Sequence, residues 1–236
     1  MDLTAENLGV RRGEDFIFMN ISFKLSDGEA LVLTGRNGSG KSTLLRTVAG
    51  LLRPEQGWVK IAGKEIETDM RPSEACHYLG HRNAMKTELT VSENLRFWKD
   101  FLGDFTGGAG VDIDEAADIV GLAGITHLPF GYLSAGQQRR FAMAKLLIAW
   151  RPVWILDEPT AALDARSELE VFERFAELTL GKMALLISHR FSTVRMADRI
   201  VVLSGGHLIE EGDHEELMRK GGLYAEMFEM QAASYR

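Results

Sequence analysis

Residues 35–42, which read Gly-Arg-Asn-Gly-Ser-Gly-Lys-Ser, constrain the fold of this chain more than any other stretch. An apolar run at 30–34 precedes them, and 43–49 follows with helical spacing, which is the strand, loop and helix context of a phosphate-binding loop. Glycines let consecutive backbone N–H groups curl around an anion, and the helix that begins there adds its positive end. We therefore expect the segment to bind a triphosphate. Lys41 would neutralise the β and γ phosphates, and Ser42 would bind Mg²⁺.

The alternative for this segment is a glycine-rich turn that matches the pattern by chance, and the flanking strand and helix disfavour it. The predicted nucleotide-binding residues of the loop are Gly35, Arg36, Asn37, Gly38, Ser39, Gly40, Lys41, Ser42 and Thr43.

Composition narrows the class of protein. The chain has 236 residues, 45% of them hydrophobic and 26% charged, which is typical of a soluble globular protein. A net charge of -7 argues against a nucleic-acid-binding surface. Cys76 is the only cysteine, so no intrachain disulfide can form and a reducing cytosol is expected. The acidic start lacks the features of a signal peptide, and no apolar run reaches the roughly 20 residues that span a bilayer. Any channel would therefore belong to another polypeptide.

The fold expected from hydrophobic patterning is α/β: a P-loop NTPase (RecA-like) core with an antiparallel β subdomain and a helical insertion subdomain. Alternation at 21–25 predicts a half-buried antiparallel strand, whereas the continuous apolar run at 153–156 predicts a strand buried in a parallel sheet. We expect one domain over 1–236, with the core and β subdomain at 1–81 and 151–236 and the helical subdomain at 82–150. The predicted helices of that subdomain cover 93–102, 114–120 and 137–150; a further helix is predicted at 165–179 and a hairpin at 199–210.

Asp157 and Glu158 form a second chemical element, because they follow the buried strand where open α/β sheets bind ligands. Asp157 is expected to hold Mg²⁺, and Glu158 is placed to activate water against the γ-phosphate as a general base. The alternative, two solvated loop acids, leaves the four apolar residues before them unexplained.

Residues 133–138, Leu-Ser-Ala-Gly-Gln-Gln, form the third element. Taken alone they indicate only a helix capped by Ser134, at which an anion or solvent could dock. The phosphate loop, this hexapeptide and the Asp-Glu pair nevertheless occur in this order, and the combination resembles the ATP-binding subunits of ABC transporters over nearly the whole chain.

That resemblance implies a head-to-tail homodimer, or a pseudo-dimer, with two ATP molecules sandwiched at the interface. Ser134, Gly136 and Gln137 of one copy would meet the ATP held by Lys41 of the other. It also implies that residues 162–164 run along the interface and that His189 contacts the γ-phosphate, so that the implied catalytic residues are Lys41, Glu158 and His189. Integral membrane subunits would recruit the protein peripherally to the cytoplasmic face of the bacterial inner membrane.

Two positions depart from the general family pattern. The family usually stacks adenine on an aromatic residue, but this chain has Val10, Arg11 and Arg12 there, so an arginine or Phe16 is expected to make the contact. By spacing, His81 occupies the place of the family's glutamine, where an imidazole could bind a water in the metal shell and make the rate sensitive to pH. We reject a helical metal pair of His77 and His81, because the residues between them indicate a strand.

The segments 33–41, 78–95 and 132–140 resemble more specifically the ATP-binding subunits of the heme exporter of cytochrome c maturation, and this likeness is close from 2 to 164. From 165 onward the chain instead resembles the nucleotide-binding domains of fused ABC exporters, as in a natural or engineered recombinant of two subfamilies.

The main hypothesis is therefore an ATPase subunit of a heme exporter. Its rivals are the nucleotide-binding domain of a drug or lipid exporter, a soluble ABC ATPase acting on nucleic acid or ribosomes, and a binding switch without hydrolysis. A stripe of aromatic residues is interpreted as local core, or alternatively as a docking face for a membrane partner; its members are Phe97, Trp98, Phe101 and Phe105.

Overall fold

The computed structural model describes residues 1–63, 71–159, 181–188, 194 and 197–234. Within them the strands are β1 (Asp2–Arg12), β2 (Asp15–Ser26), β3 (Ala30–Thr34), β4 (Gln56–Ala62), β5 (Cys76–Leu79), β6 (Val153–Asp157), β7 (Met183–Ile187), β8 (Arg199–Ser204) and β9 (His207–Gly212). The α-helices are α1 (Lys41–Val48), α2 (Pro72–Ala75), α3 (Val91–Leu102), α4 (Ile113–Ile119), α5 (Ala135–Ala144), α6 (His214–Lys220) and α7 (Leu223–Ser234), with a 3-10 helix at Phe130–Tyr132.

A six-stranded sheet in the order β5-β6-β7-β3-β8-β9 forms the centre of the molecule. All neighbouring pairs are parallel except β8 and β9, which form the predicted hairpin. The carboxyl ends of β3 and β6 therefore lie at the same edge, which brings the phosphate loop close to Asp157.

The sheet separates two apolar cores, and alternate residues of β6 contribute to each. Trp154 and Leu156 pack into one core, and Val153 and Ile155 into the other. All four side chains are fully buried, as the apolar run predicted.

The predicted antiparallel sheet is present, in the order β2-β1-β4. Ile21, Phe23 and Leu25 of β2 alternate with exposed neighbours, which confirms the half-buried strand. The 11-residue central strand β1 had not been predicted, because register shifts between Ala5 and Leu8 and beyond break its period of two. The predicted α/β class is confirmed.

The described helices of 82–150 agree with prediction except at the end of α5. This helix stops at Ala144, six residues before the predicted end. After Ala144 the chain continues in tighter turns, in which the N–H groups of Leu146 and Leu147 donate to carbonyls three residues earlier. The carbonyls of Leu147 and Trp150 accept from the backbone N–H groups of Val111 and Phe105.

The residues of the aromatic stripe differ in burial, and the core interpretation does not hold for all of them. Phe105 is buried, whereas Phe97 and Phe101 are 54% and 69% exposed. The predicted helix 165–179, the segment 162–164 and His189 lie outside the described residues. Among the helices that the structure does describe, none combines the length and the hydropathy needed to cross a bilayer.

Candidate active site

A cleft of about 820 Å³ opens at the carboxyl edge of the six-stranded sheet. It brings the phosphate loop together with Glu158 and His81, which lie far apart in the sequence. The lining residues are Arg12, Phe16, Ile17, Arg36, Asn37, Gly38, Ser39, Gly40, Lys41, Ser42, Thr43, His81, Glu158, Ile187, Ser204, Gly205 and Gly206.

Glycine is required at two points of the phosphate loop. Gly35 and Gly40 have φ of +139° and +100°, in the region that side-chain-bearing residues rarely adopt. A Cβ atom on Gly35 would lie 2.1 Å from the carbonyl oxygen of Leu203, and one on Gly40 would lie 2.8 Å from Cγ2 of Ile17. The loop therefore depends on close approach by β8 and β2 as well as on its own backbone.

Lys41 begins α1 and is only 7% exposed. Its ammonium donates to the carbonyl oxygens of Gly35 and Arg36 at 2.7 and 2.9 Å, which uses two of its three N–H groups. Burial lowers the pKa of Lys41, and the nearby negative charges of Glu158 and Asp157 oppose that shift. The third N–H is then available to an anion in the cleft.

Asp157 lies at the end of β6 and is buried. Its Oδ1 accepts a hydrogen bond from Ser42 Oγ at 3.1 Å, and its Oδ2 accepts a longer one from the Tyr78 hydroxyl at 3.4 Å. Arg46 in turn donates to the Tyr78 oxygen at 3.4 Å. A hydroxyl and a carboxylate held side by side are hard oxygen ligands of the kind that Mg²⁺ prefers.

Glu158 lines the cleft directly after Asp157. Its φ is +48°, a left-handed conformation that is uncommon for a residue other than glycine, asparagine or aspartate. Its backbone N–H donates to the carbonyl of Ile187 at 3.2 Å, so β7 holds the turn. The carboxylate is thus presented to the cleft by a strained turn at the end of a buried strand.

Arg12, at the end of β1, and Phe16 and Ile17, in β2, also line the cleft. The guanidinium of Arg11 lies 4.0 Å from the centre of the Phe16 ring and covers it. Both kinds of residue expected to replace the usual aromatic are therefore present in the cleft lining.

The hexapeptide lies elsewhere. Ser134 caps α5: its Oγ accepts from the N–H of Gln137 at 3.3 Å, while Gln137 Oε1 accepts from the N–H of Ser134 at 2.9 Å. Ser134 is exposed, and neither it, Gly136 nor Gln137 lines the cleft. The structure of this chain brings the phosphate loop, Asp157, Glu158 and His81 together, but not the hexapeptide.

Several residues of the site had not been predicted. Ser204, Gly205 and Gly206 reach the cleft only because β8 pairs with β3, and no local pattern signals that pairing. Tyr78 was noted only as part of a strand. Arg139 is a buried arginine on an otherwise apolar face of α5. A charged residue at such a position is rarely buried without partners, and this could have marked Arg139 in the sequence.

The cleft fits a phosphate chain with Mg²⁺. Ser39 Oγ, in the phosphate loop, is buried without a hydrogen-bond partner among the described residues. Gly35 and Gly40, with their positive φ angles, leave room for an anion at the start of α1, where the helix has its positive end. Ser42 and Asp157 supply oxygen ligands next to that position.

Comparison with known proteins agrees with this geometry. Residues 18–161 match the family model described as ABC transporter. The CcmA cytochrome c biogenesis ATP-binding export protein of Agrobacterium fabrum is 82% identical over 188 residues, covering 80% of this chain and 88% of that protein. Its namesake in Rhizobium etli is 63% identical over 188 residues, covering 80% and 87%.

Among solved structures, a bacterial Atm1-family ABC exporter with ATP bound superimposes with a TM-score of 0.83 at 30% identity. The match covers 98% of this chain and 42% of the exporter chain. With the family model and the close relatives in agreement, the chain belongs to the ABC transporter family of ATP-binding proteins.

Proposed function

We propose that this chain is the ATP-hydrolysing subunit of an exporter that serves cytochrome c biogenesis. The observation that carries the proposal is the cleft in which the phosphate loop, the Ser42–Asp157 pair and Glu158 converge. The 82% identity to a protein named for ATP-binding export in cytochrome c biogenesis supports the cellular role. The resemblance to heme-exporter subunits makes heme the proposed cargo of the assembled exporter.

Lys41 and the loop N–H groups hold the β and γ phosphates of ATP. Glu158 accepts a proton from water as that water attacks the γ-phosphorus, and the bond from the γ-phosphorus to the bridging oxygen breaks to give ADP and phosphate. Ser42 and Asp157 are the proposed ligands of Mg²⁺, which would supply positive charge to neutralise the charge that develops on the phosphates. His81 and His189 are proposed to contact the metal shell and the γ-phosphate, respectively.

The reaction centre is proposed to need two copies of the chain. Ser134 and Gly136 lie at the capped start of α5 and do not line the cleft, although they belong to the family's nucleotide-binding pattern. A head-to-tail homodimer lets this helix start meet the ATP in the cleft of the other copy, as a positive helix end favours a phosphate. Each composite site then has Lys41 from one copy and Ser134 from its partner.

Mixing two inactive variants tests this arrangement. Lys41→Ala removes the phosphate-binding cation, and Ser134→Arg blocks the helix start. If the site is composite, each homodimer has only damaged sites, whereas a mixed dimer has one intact site. An equal mixture should therefore recover up to about a quarter of the wild-type sites.

Phosphate release is measured for each variant alone and for the mixture at the same total concentration. Recovery on mixing supports the composite site, whereas a mixture no faster than its components contradicts it. The Lys41→Ala, Ser134→Arg double variant mixed with inactive Lys41→Ala is the control, since that pair leaves no intact site.

We further propose that integral membrane subunits bind the chain at the cytoplasmic face of the bacterial inner membrane. Phe97 and Phe101 give α3 an exposed apolar face suited to such a partner. The alternative function, the nucleotide-binding domain of a drug or lipid exporter, also has an observation in its favour. The cytochrome c biogenesis protein of Agrobacterium fabrum aligns with 188 of the 236 residues, whereas the match to the Atm1-family exporter covers 98% of the chain. Co-purification with each class of membrane subunit separates the two.

A further inference from the structure

Arg139 is a buried arginine in α5, one turn after the capped helix start, and it is 4% exposed. A guanidinium has five N–H donors. Each of the five has an acceptor: Nε donates to the carbonyl of Pro159, Nη1 to the carbonyl of Gly80 and to Asn83 Oδ1, and Nη2 to the carbonyls of Glu158 and Asp157. These distances are 2.7, 2.8, 3.2, 3.1 and 3.5 Å in that order.

Three of the acceptors are the consecutive carbonyls of Asp157, Glu158 and Pro159. This is the segment in which the backbone of Glu158 takes its left-handed conformation. Such a conformation costs on the order of 1–3 kcal/mol and persists only where its surroundings hold it. The fork of Arg139 supplies that restraint on the carbonyl side, and the bond from Glu158 N–H to Ile187 supplies it on the other.

The other two acceptors lie in the loop that carries His81. Gly80 immediately precedes His81, and Asn83 follows it by two residues. One planar side chain therefore fixes the turn of the proposed base relative to a second residue of the cleft. A lysine has the charge but lacks the planar fork, so it cannot reproduce these contacts.

We propose that Arg139 is a positioning residue for ATP hydrolysis, which holds the backbone turn of Glu158 so that its carboxylate faces the cleft. The inference rests on the proposed role of Glu158 as general base. Because Arg139 belongs to the helix whose start is proposed to meet the partner's ATP, it also links the nucleotide of one site to the base of the other.

A purely structural role is the competing explanation, since any buried arginine that binds carbonyls contributes to stability. Arg151 offers a matched control for that role. It is 7% exposed and donates to the carbonyls of Leu102, Gly103 and Trp150 at 2.6 to 2.8 Å, away from the cleft. Arg151→Gln should therefore lower stability as Arg139→Gln does, without affecting the base.

The test measures kcat, the KM for ATP and urea unfolding for Arg139→Gln, Arg139→Lys and Arg151→Gln in the full chain, with rates normalised to folded protein. We expect kcat to fall at least about tenfold for Arg139→Gln, with the KM for ATP changed by less than about threefold, as for loss of a transition-state interaction. Arg139→Lys should lose kcat in the same way, which provides the answer if the glutamine variant does not fold.

A double-mutant cycle with Glu158→Gln then separates positioning from other effects. If Arg139 acts through Glu158, adding Arg139→Gln to Glu158→Gln should lower the residual rate by less than about twofold. If the rate losses of Arg139→Gln and Glu158→Gln multiply in the double variant, the proposal is overturned. It is also overturned if Arg151→Gln loses as much kcat as Arg139→Gln does. Full turnover in Glu158→Gln alone would instead remove the proposed base, and a normal Arg139→Gln beside an inactive Glu158→Gln would overturn only the role of Arg139.

Discussion

Ser42 Oγ donates a hydrogen bond to Asp157 Oδ1 at 3.1 Å, although 115 residues separate the two in the sequence. The contact exists because β3 and β6 run parallel in one sheet, with β7 between them, and end at the same edge. It joins the phosphate loop to the acidic segment.

We predict that Ser42→Ala raises the Mg²⁺ concentration needed for half-maximal ATP hydrolysis by at least about tenfold, as loss of a ligand should. Ser42→Thr retains the hydroxyl and should behave like the wild type. Tyr78→Phe, which removes the longer bond to Asp157 Oδ2 and the bond from Arg46 but no proposed metal ligand, should give a smaller shift. The measurement is a Mg²⁺ titration of phosphate release, and equal Mg²⁺ dependence in Ser42→Ala and Ser42→Thr would contradict the metal role of Ser42.

His77 should make the folded chain sensitive to acid. Burial lowers the pKa of His77 to about 3, while its Nε2 lies 2.7 Å from the carbonyl of Ala149. Between about pH 6.5 and about pH 3 the unfolded chain binds a proton that the folded chain does not. The free energy of unfolding should therefore fall with decreasing pH, by up to about 1.4 kcal/mol per pH unit from this group.

His77→Gln keeps an N–H donor for Ala149 but does not titrate, so it should remove this part of the slope. Urea unfolding from about pH 7 to about pH 4.5 compares the variant with the wild type and with His207→Gln, a substitution at an exposed position. Identical slopes in His77→Gln and the wild type would show that His77 does not contribute.

The exposed face of α3 should bind a membrane partner. The rings of Phe97 and Phe101 stack at 5.9 Å between centroids, and Trp98 beside them donates to the carbonyl of Ala84 at 2.8 Å. We predict that Phe97→Ala with Phe101→Ala leaves the stability of the isolated chain within about 0.5 kcal/mol, because exposed side chains contribute little.

The same double variant should lose co-purification with the membrane subunits of a cytochrome c biogenesis exporter when they are co-expressed. Leu51→Ser, at another exposed apolar position, is the control and should still co-purify. Undiminished co-purification of the double variant would move the docking surface elsewhere.

The parts of the site and of the fold that could be predicted from the sequence are those that local motifs encode. The phosphate loop and the Asp157–Glu158 pair are contiguous segments with flanking elements, and the structure places Glu158 in the same cleft as the loop and Asp157 in contact with Ser42. Their roles in hydrolysis stay predictions until the variants are measured. The alternation in β2 and the run in β6 were similarly readable, because each strand has a uniform environment on each face.

What escaped prediction depends on contacts between distant elements. The five hydrogen bonds of Arg139 reach segments 18 to 59 residues away, and no spacing rule covers them. The early end of α5 is followed by tighter turns that the helical spacing of 137–150 does not reveal. For Phe97 and Phe101 both a core and a docking interpretation were left open, because composition cannot distinguish a buried aromatic face from an exposed one.

The central claim is that two copies enclose ATP and that Glu158 acts as the base. Size-exclusion chromatography with light-scattering detection of Glu158→Gln tests it most directly. With ATP and Mg²⁺ this variant should bind nucleotide without hydrolysing it and should elute with the mass of a dimer, while without nucleotide it should elute as a monomer. A monomer under both conditions, together with wild-type hydrolysis whose specific rate does not change with protein concentration, would contradict the claim.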